Sequence, residues 1–189
     1  NGKIKEKGTT NYIYSICAIY ALVTSICGFT PLRHEGKITG LSALGKPNKK
    51  LIEAFREITY TKDGKWYGKL EYLNKLGPYP HIMRNENTEL IRKTIGGISS
   101  EWSKQDLAAS VQKYFEDEIT SYIDFHMKEQ NKKKLILAGG AFANVKLNQA
   151  IYQLNSVKAI HIHPAMTDSG LGLGAALVIA NHNKKNERY

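Results

Sequence analysis

The sequence predicts a mixed α/β fold, and three observations carry the prediction. The stretch EITYTKDGKWYGKLEYL alternates apolar and polar residues on both sides of Asp63-Gly64, the pattern of a β-hairpin closed by a two-residue turn. Ser103 to Gln130 repeats apolar residues at the spacing of one long amphipathic helix. The last third alternates strand-like and helix-like runs: LILAG, NVKLNQAIYQL, AIHIH and SGLGLGAALVIANH. A hairpin early and strand–helix units later predict a mixed sheet with flanking helices, its later part parallel.

Taken in order, the elements have local causes. YIYSICAIYALVTSICGF (12–29) is apolar enough for a helix; Thr9 or Thr10 can cap its start near Asn11, and Gly28 can end it. This segment has the length of a membrane span, but Ser15, Thr24, Ser25 and several tyrosines interrupt it, so a buried core helix is the expectation. RHEGKITGLSALG (33–45) reads as a loop entering a short helix, and NKKLIEAFREI (48–58) continues helically. Pro78 and Pro80 make the stretch LGPYPHIMRNENTEL (76–90) loop-rich. In the long helix Ser103 is placed to cap, with Asp106 near the first-turn amides. Leu107, Val111, Tyr114, Phe115, Ile119, Tyr122, Ile123 and His126 form its core stripe.

Composition bounds the function classes. The 189 residues suit a single domain, residues 1–189, or half of a larger one. Hydrophobic and charged fractions of 42% and 23% are those of a globular chain rather than a disordered or fibrous one. The net charge of +10 admits a polyanionic partner. The basic residues are nevertheless scattered or gathered at segment ends, as in NKKK (131–134) and NKKNER (183–188), which is how solvated faces look. Cys17 and Cys27 in a single helix would stand about 15 Å apart, too far for a disulfide or a shared metal. Buried thiols in a reducing cytoplasm are therefore expected.

Three glycine-containing loops carry the candidate chemistry. In LAGGAFANVKLN, Gly139 and Gly140 follow a strand and Asn144 stands at a helix start. Such a turn lets the main chain approach a ligand, and the leading N–H groups favour an anion; a plain strand–helix turn with an Asn cap fits equally. Asn144 and Asn148 lie one helical turn apart, so their amides can face one ligand. In HPAMTDSGLGLGAAL, Asp168 sits between a strand and a helix, where it is either an N-cap or a metal ligand. There the glycines 170, 172 and 174 are better explained by close helix packing than by a dinucleotide fingerprint. In RHEGK, His34, Glu35, Gly36 and Lys37 form one charged turn. His161 and His163 share a strand face, a spacing more typical of packing than of metal binding. No GxxxxGK[ST], HExxH or GxSxG motif occurs.

Together FTPLRHEGKITGLSALGKPN, LAGGAFANVKLNQAI and IHPAMTDSGLGLGAAL resemble, in this order, motifs of the ATP-dependent O-carbamoyltransferases, over about residues 11–180. That family includes nodulation-factor and aminoglycoside-antibiotic carbamoyltransferases. The resemblance implies the second half of an actin-like domain (the actin/hexokinase/Hsp70, ribonuclease H-like fold), as in the tRNA threonylcarbamoyl transferase. It implies that ATP and carbamoyl phosphate give a carbamoyl-adenylate in a YrdC-like domain. The actin-like domain then passes the carbamoyl group to a hydroxyl of a small-molecule acceptor. It also implies that Gly139, Gly140 and Asn144 contact a phosphate, that Gly36 and Lys37 contact the nucleotide, and that Asp168 binds a divalent metal, iron or magnesium. No residue is singled out as catalytic. The HxxxH metal pair of the family and the YrdC-like domain are absent from this sequence. The expected partners are therefore the missing N-terminal half and that domain, in a cytoplasmic protein whose isolated chain is inactive. The alternatives are a non-catalytic nucleotide-binding or interaction module of the same fold, and a basic nucleic-acid-binding domain.

Overall fold

A helix buried on nearly every side organises the first part of the chain. The computed structural model describes residues 6–10, 15–68 and 101–183. The expected loop at 76–90, the continuation of the hairpin past Gly68 and the charged tail past Asn183 lie outside the described residues. The chain divides into two compact units, Asn1–His126 and Met127–Tyr189, each taken by itself below.

In the first unit, α1 (Ile16–Ile26) buries Ile16, Ile19, Tyr20, Leu22, Val23 and Thr24. Burial on this scale explains the unbroken apolar run without a membrane; no described helix is long and apolar enough to cross one. The helix begins at Ile16 after an extended Ser15, so neither Thr9 nor Thr10 caps it; residues 11–14 lie outside the described set. Its end is as expected. Gly28 takes φ +86°, its N–H donates to Ser25 O and Phe29 N–H donates to Thr24 O, which closes the last turn.

Two further short helices follow, α2 (Glu35–Leu41) and α3 (Lys49–Ile58). The Asn48 side chain caps α3 by accepting from Lys50 N–H. Strands β1 (Thr59–Lys62) and β2 (Lys65–Gly68) then pair antiparallel. Asp63 (φ 49°) and Gly64 (φ 66°) are both left-handed, as a type I′ turn requires.

The long helix α4 (Lys104–Glu129) starts where expected, with Ser103 Oγ accepting from Asp106 N–H at 3.0 Å. Its predicted stripe is core: Leu107, Val111, Tyr114, Phe115, Ile119 and Ile123 are buried. The helix is tied to the rest of its unit by polar bonds as well as by rings. Tyr20 Oη donates to Gln112 Oε1 at 2.7 Å, and Tyr114 Oη donates to Thr59 O at 2.8 Å. The Tyr20–Phe115 and Phe55–Tyr114 ring pairs lie 5.0 and 5.4 Å apart. At the helix start Asp106 Oδ1 accepts Lys46 N–H, a bond that, with Ser103, lowers the Asp106 pKa. The chain passes so near here that a Cβ on Gly45 would stand 2.0 Å from Gln105 O.

Both cysteines are free thiols, Cys27 buried and Cys17 partly so. Desolvation raises the pKa of each, that of Cys27 to about 11. Neither is therefore a ready nucleophile near neutral pH.

The second unit holds β3 (Lys134–Leu137), α5 (Val145–Tyr152), β4 (Ala159–Ile162) and α6 (Leu171–Asn183). β3 and β4 are parallel, with Leu135 opposite Ile160 and Leu137 opposite Ile162. This βαβ unit is the parallel portion that the sequence predicts. The single mixed sheet is not seen: among the described residues the strands form two separate two-stranded ladders, one antiparallel and one parallel. The hairpin packs on α4 instead, through Trp66 stacked on Tyr122 and His126 Nε2 bonded to Gly64 O at 2.9 Å. In α6, Leu171, Leu173, Leu177, Val178 and Ile179 are all exposed.

Candidate functional site

Because β3 and β4 run parallel, the loops that follow them leave from the same edge, the carboxyl end of the ladder. The loop after β3 is the glycine turn. Gly139 has φ 111° and ψ 153°, a region essentially restricted to glycine, and its N–H donates to Met166 O at 2.7 Å in the loop after β4. This bond brings the Gly139–Asn144 turn and the Asp168 loop together. It also occupies the Gly139 N–H, which is correspondingly not the group that would meet a phosphate.

Residues Gly140–Ala143 form a 3₁₀ turn whose first bond runs from Phe142 N–H to Gly139 O at 3.0 Å. The N–H groups of Gly140 and Ala141 precede that bond and stand at the open end of the turn. Among the described residues Gly140 needs its glycine for neither backbone nor packing: its φ is not left-handed, and a Cβ there would meet no described atom within 4 Å. Asn144 has a structural task. Its Oδ1 accepts Leu147 N–H at 3.0 Å and so caps α5. Asn148 does not face the ligand side with it; its Nδ2 donates to Phe142 O at 2.8 Å and pins the 3₁₀ turn, leaving a buried Oδ1 that makes no hydrogen bond.

Asp168 opens a second 3₁₀ turn, Asp168–Gly170, and is exposed. The glycines after it differ from one another. At Gly170 a Cβ would lie 2.2 Å from Ala165 O, so close packing demands glycine. At Gly172 and Gly174 a Cβ meets nothing within 4 Å among the described residues, so the close packing expected of them is not found there. His163 is occupied locally, with Nδ1 accepting Ala165 N–H at 3.1 Å.

The HEGK turn lies in the first unit, apart in sequence from the other candidates. His34 precedes α2 and its Nδ1 accepts Thr30 N–H at 3.0 Å, while Glu35 Oε1 accepts Leu32 N–H at 2.6 Å. These two bonds hold Leu32 at φ 64°, an unfavourable backbone for a leucine. Gly36 and Lys37 are exposed in the first turn of α2; the Lys37 Nζ stands 5.3 Å from the centre of the Phe29 ring. A Cβ on Gly36 would meet nothing within 4 Å among the described residues.

Residues 2–177 match the family described as Carbamoyltransferase N-terminus. The chain belongs to this family. Among its relatives an uncharacterised protein of Methanocaldococcus jannaschii is 33% identical over 168 residues, covering 88% of this chain and 26% of that protein. The nodulation protein NolNO of Sinorhizobium fredii is 32% identical over 149 residues, 78% of this chain and 20% of its own length. The nodulation protein NolO of Bradyrhizobium diazoefficiens is 29% identical over 147 residues, 78% and 25%. The carbamoyltransferase-family chain thus spans about a quarter of the length of the curated relatives it matches.

The metal expected at Asp168 meets a poor donor set. A hard or borderline divalent cation needs several ligands, and among the described residues no three His, Cys, Asp or Glu side chains gather to hold one. The described residues do not fit the ion. The 189-residue chain is expected to carry no stoichiometric iron or magnesium after purification. Elemental analysis checks this, and a stoichiometric metal lost on Asp168→Asn would show that Asp168 has partners outside the described residues.

One arrangement was not legible as a site in the sequence. Arg56, at the end of α3, reaches Glu118 on α4 across 62 positions, Nε to Oε1 at 2.7 Å. The other Glu118 oxygen accepts Thr61 N–H at 2.6 Å. No spacing rule links these residues, and only the packing of α3 and β1 on α4 brings them together.

Proposed function

We propose that the chain supplies an adenylate-holding part of a longer carbamoyltransferase, which moves a carbamoyl group from carbamoyl-adenylate to a hydroxyl of a small-molecule acceptor. Gly140 carries the reading. Its glycine is required by neither conformation nor packing, yet it stands at the carboxyl end of a parallel ladder with the N–H groups of Gly140 and Ala141 leading a helical turn. Such a place suits an anion of one phosphate, and a residue without Cβ leaves room for it to reach the main chain. A single phosphate with its ester needs no P-loop lysine. In this reading Asn144 acts by fixing the turn as its cap.

The chemistry asked of the whole enzyme is acyl transfer. The acceptor oxygen bonds to the carbamoyl carbon, the bond from that carbon to the adenylate oxygen breaks, AMP departs, and the hydroxyl proton is lost. The turn's share is to bind and orient AMP, first as part of the adenylate and then as leaving group. An actin-like fold for the longer protein is part of the proposal. Two features support further polypeptide: relatives more than three times as long, and the apolar exposed surface of α6, of the kind that larger folds cover.

The Gly140→Val chain tests the turn. Since no neighbour crowds the new side chain, its unfolding midpoint is expected to match that of the parent. Its affinity for AMP, measured by calorimetry, is expected to fall at least ~10-fold, or about 1.4 kcal/mol. Unchanged AMP affinity in the folded variant, or no AMP binding by the parent, would remove the turn from the nucleotide site.

A further inference from the structure

We propose that Asn148 is a positioning residue of the glycine turn, one that fixes the turn's shape for an anion at a cost to the stability of the fold. The inference rests on the reading of the Gly140 turn as the element that meets a phosphate, and its test separates the two.

The turn Gly140–Ala143 is four residues long and anchored at both ends. At one end Gly139 N–H donates to Met166 O, and at the other Asn144 Oδ1 accepts Leu147 N–H. Between these anchors the Phe142 carbonyl accepts from Asn148 Nδ2 at 2.8 Å, a side chain that reaches back from the first turn of α5. A 3₁₀ segment has poor hydrogen-bond geometry and persists only in short pieces. A side chain bonded to its interior therefore decides whether it keeps one shape. An anion reads that shape, because a peptide that rotates turns carbonyl oxygen toward the place where N–H groups should converge.

The second observation is what the bond costs. Asn148 Oδ1 is buried and, among the described residues, receives no hydrogen bond. A buried acceptor without a donor destabilises a fold, and nearly all are paired in native structures. Packing would be served as well by leucine, which has a similar size and no lone pairs to leave unpaired; α5 already buries Leu147 and Ile151. What leucine lacks is the N–H that holds Phe142 O. The amide thus serves the turn rather than the core.

Asn148→Leu in the whole chain tests this by three measurements. The unfolding midpoint is expected to be unchanged or higher, since the unpaired oxygen is removed together with the bond. Amide hydrogen exchange at Phe142 and Asn144 is expected to quicken at least ~10-fold, while that of β3 stays as in the parent. Affinity for AMP, by calorimetry, is expected to fall roughly 3- to 10-fold as the site loses its preorganisation. Asn148→Ala is expected to repeat the exchange and affinity changes. Exchange as slow as in the parent, or failure of both variants to fold, would overturn the proposal by making Asn148 dispensable to the turn or a plain structural residue. AMP bound by the variants as tightly as by the parent would overturn it while leaving the reading of the turn intact. Absence of AMP binding by the parent, with fast exchange in the variants, would instead sink that reading and the anion role together.

Discussion

A Glu118→Ala chain is expected to be about 2–4 kcal/mol less stable than its parent, read as a fall in the urea midpoint without change of slope. Most of the loss comes from Thr61. Its N–H points away from β2, and the Glu118 carboxylate, with its side chain only 6% exposed, stands where a further strand would be. Leaving that N–H without an acceptor costs about 1–3 kcal/mol. The Arg56 side chain is 43% exposed, so water screens its half of the ion pair and its release adds no more than about 1 kcal/mol. Glu118→Gln separates the two contributions: its amide oxygen can still accept from Thr61, and most of the lost stability should return. A Glu118→Ala chain as stable as the parent would mean that water replaces both bonds, and that Glu118 does not organise this corner of the unit.

The 189 residues by themselves are expected to form no AMP from ATP and carbamoyl phosphate, at any acceptor concentration. Joined to the further sequence that their longer relatives possess, they are expected to support AMP release that depends on carbamoyl phosphate and acceptor. Orientation of reactants supplies about 7–11 kcal/mol in favourable cases, and only when every group is present together. In the proposed reading the turn at Gly140 holds one phosphate, which orients the leaving group and leaves the other reacting groups to the rest of the longer polypeptide. The shorter and the longer polypeptide, assayed side by side for AMP, decide the matter. Turnover by the 189 residues alone would show that the reaction needs nothing beyond them. No turnover by the longer polypeptide, with intact AMP binding, would leave a nucleotide-binding module rather than a transferase.

What the sequence by itself determined are the features encoded within a few residues of each other. The type I′ turn needs only Asp63 and Gly64, the end of α1 needs only Gly28, and the caps of α3, α4 and α5 need only Asn48, Ser103 and Asn144. The stripe on α4 repeats often enough to fix its buried face, and three ordered motifs marked the family before any coordinates. The start of α1 was misplaced because Thr9 and Thr10 have capping side chains, while the first helical residue is set by the burial of Ile16 onward.

Tertiary structure alone decided how distant residues share space. Arg56 and Glu118 meet because α3 and β1 pack on α4, and no local pattern records that approach. The tasks of the glycines were likewise undecided in the sequence, since the same residue serves a left-handed backbone, a close approach or open access. Gly139 is needed for its φ of 111°, Gly45 and Gly170 for backbones that would stand 2.0 and 2.2 Å from a Cβ, and Gly140 for neither. The two strand pairs were read as one mixed sheet because pairing partners are chosen by packing, and the hairpin found its partner in α4. A residue type specifies the chemistry it can offer, but which neighbour receives it is a property of the folded chain.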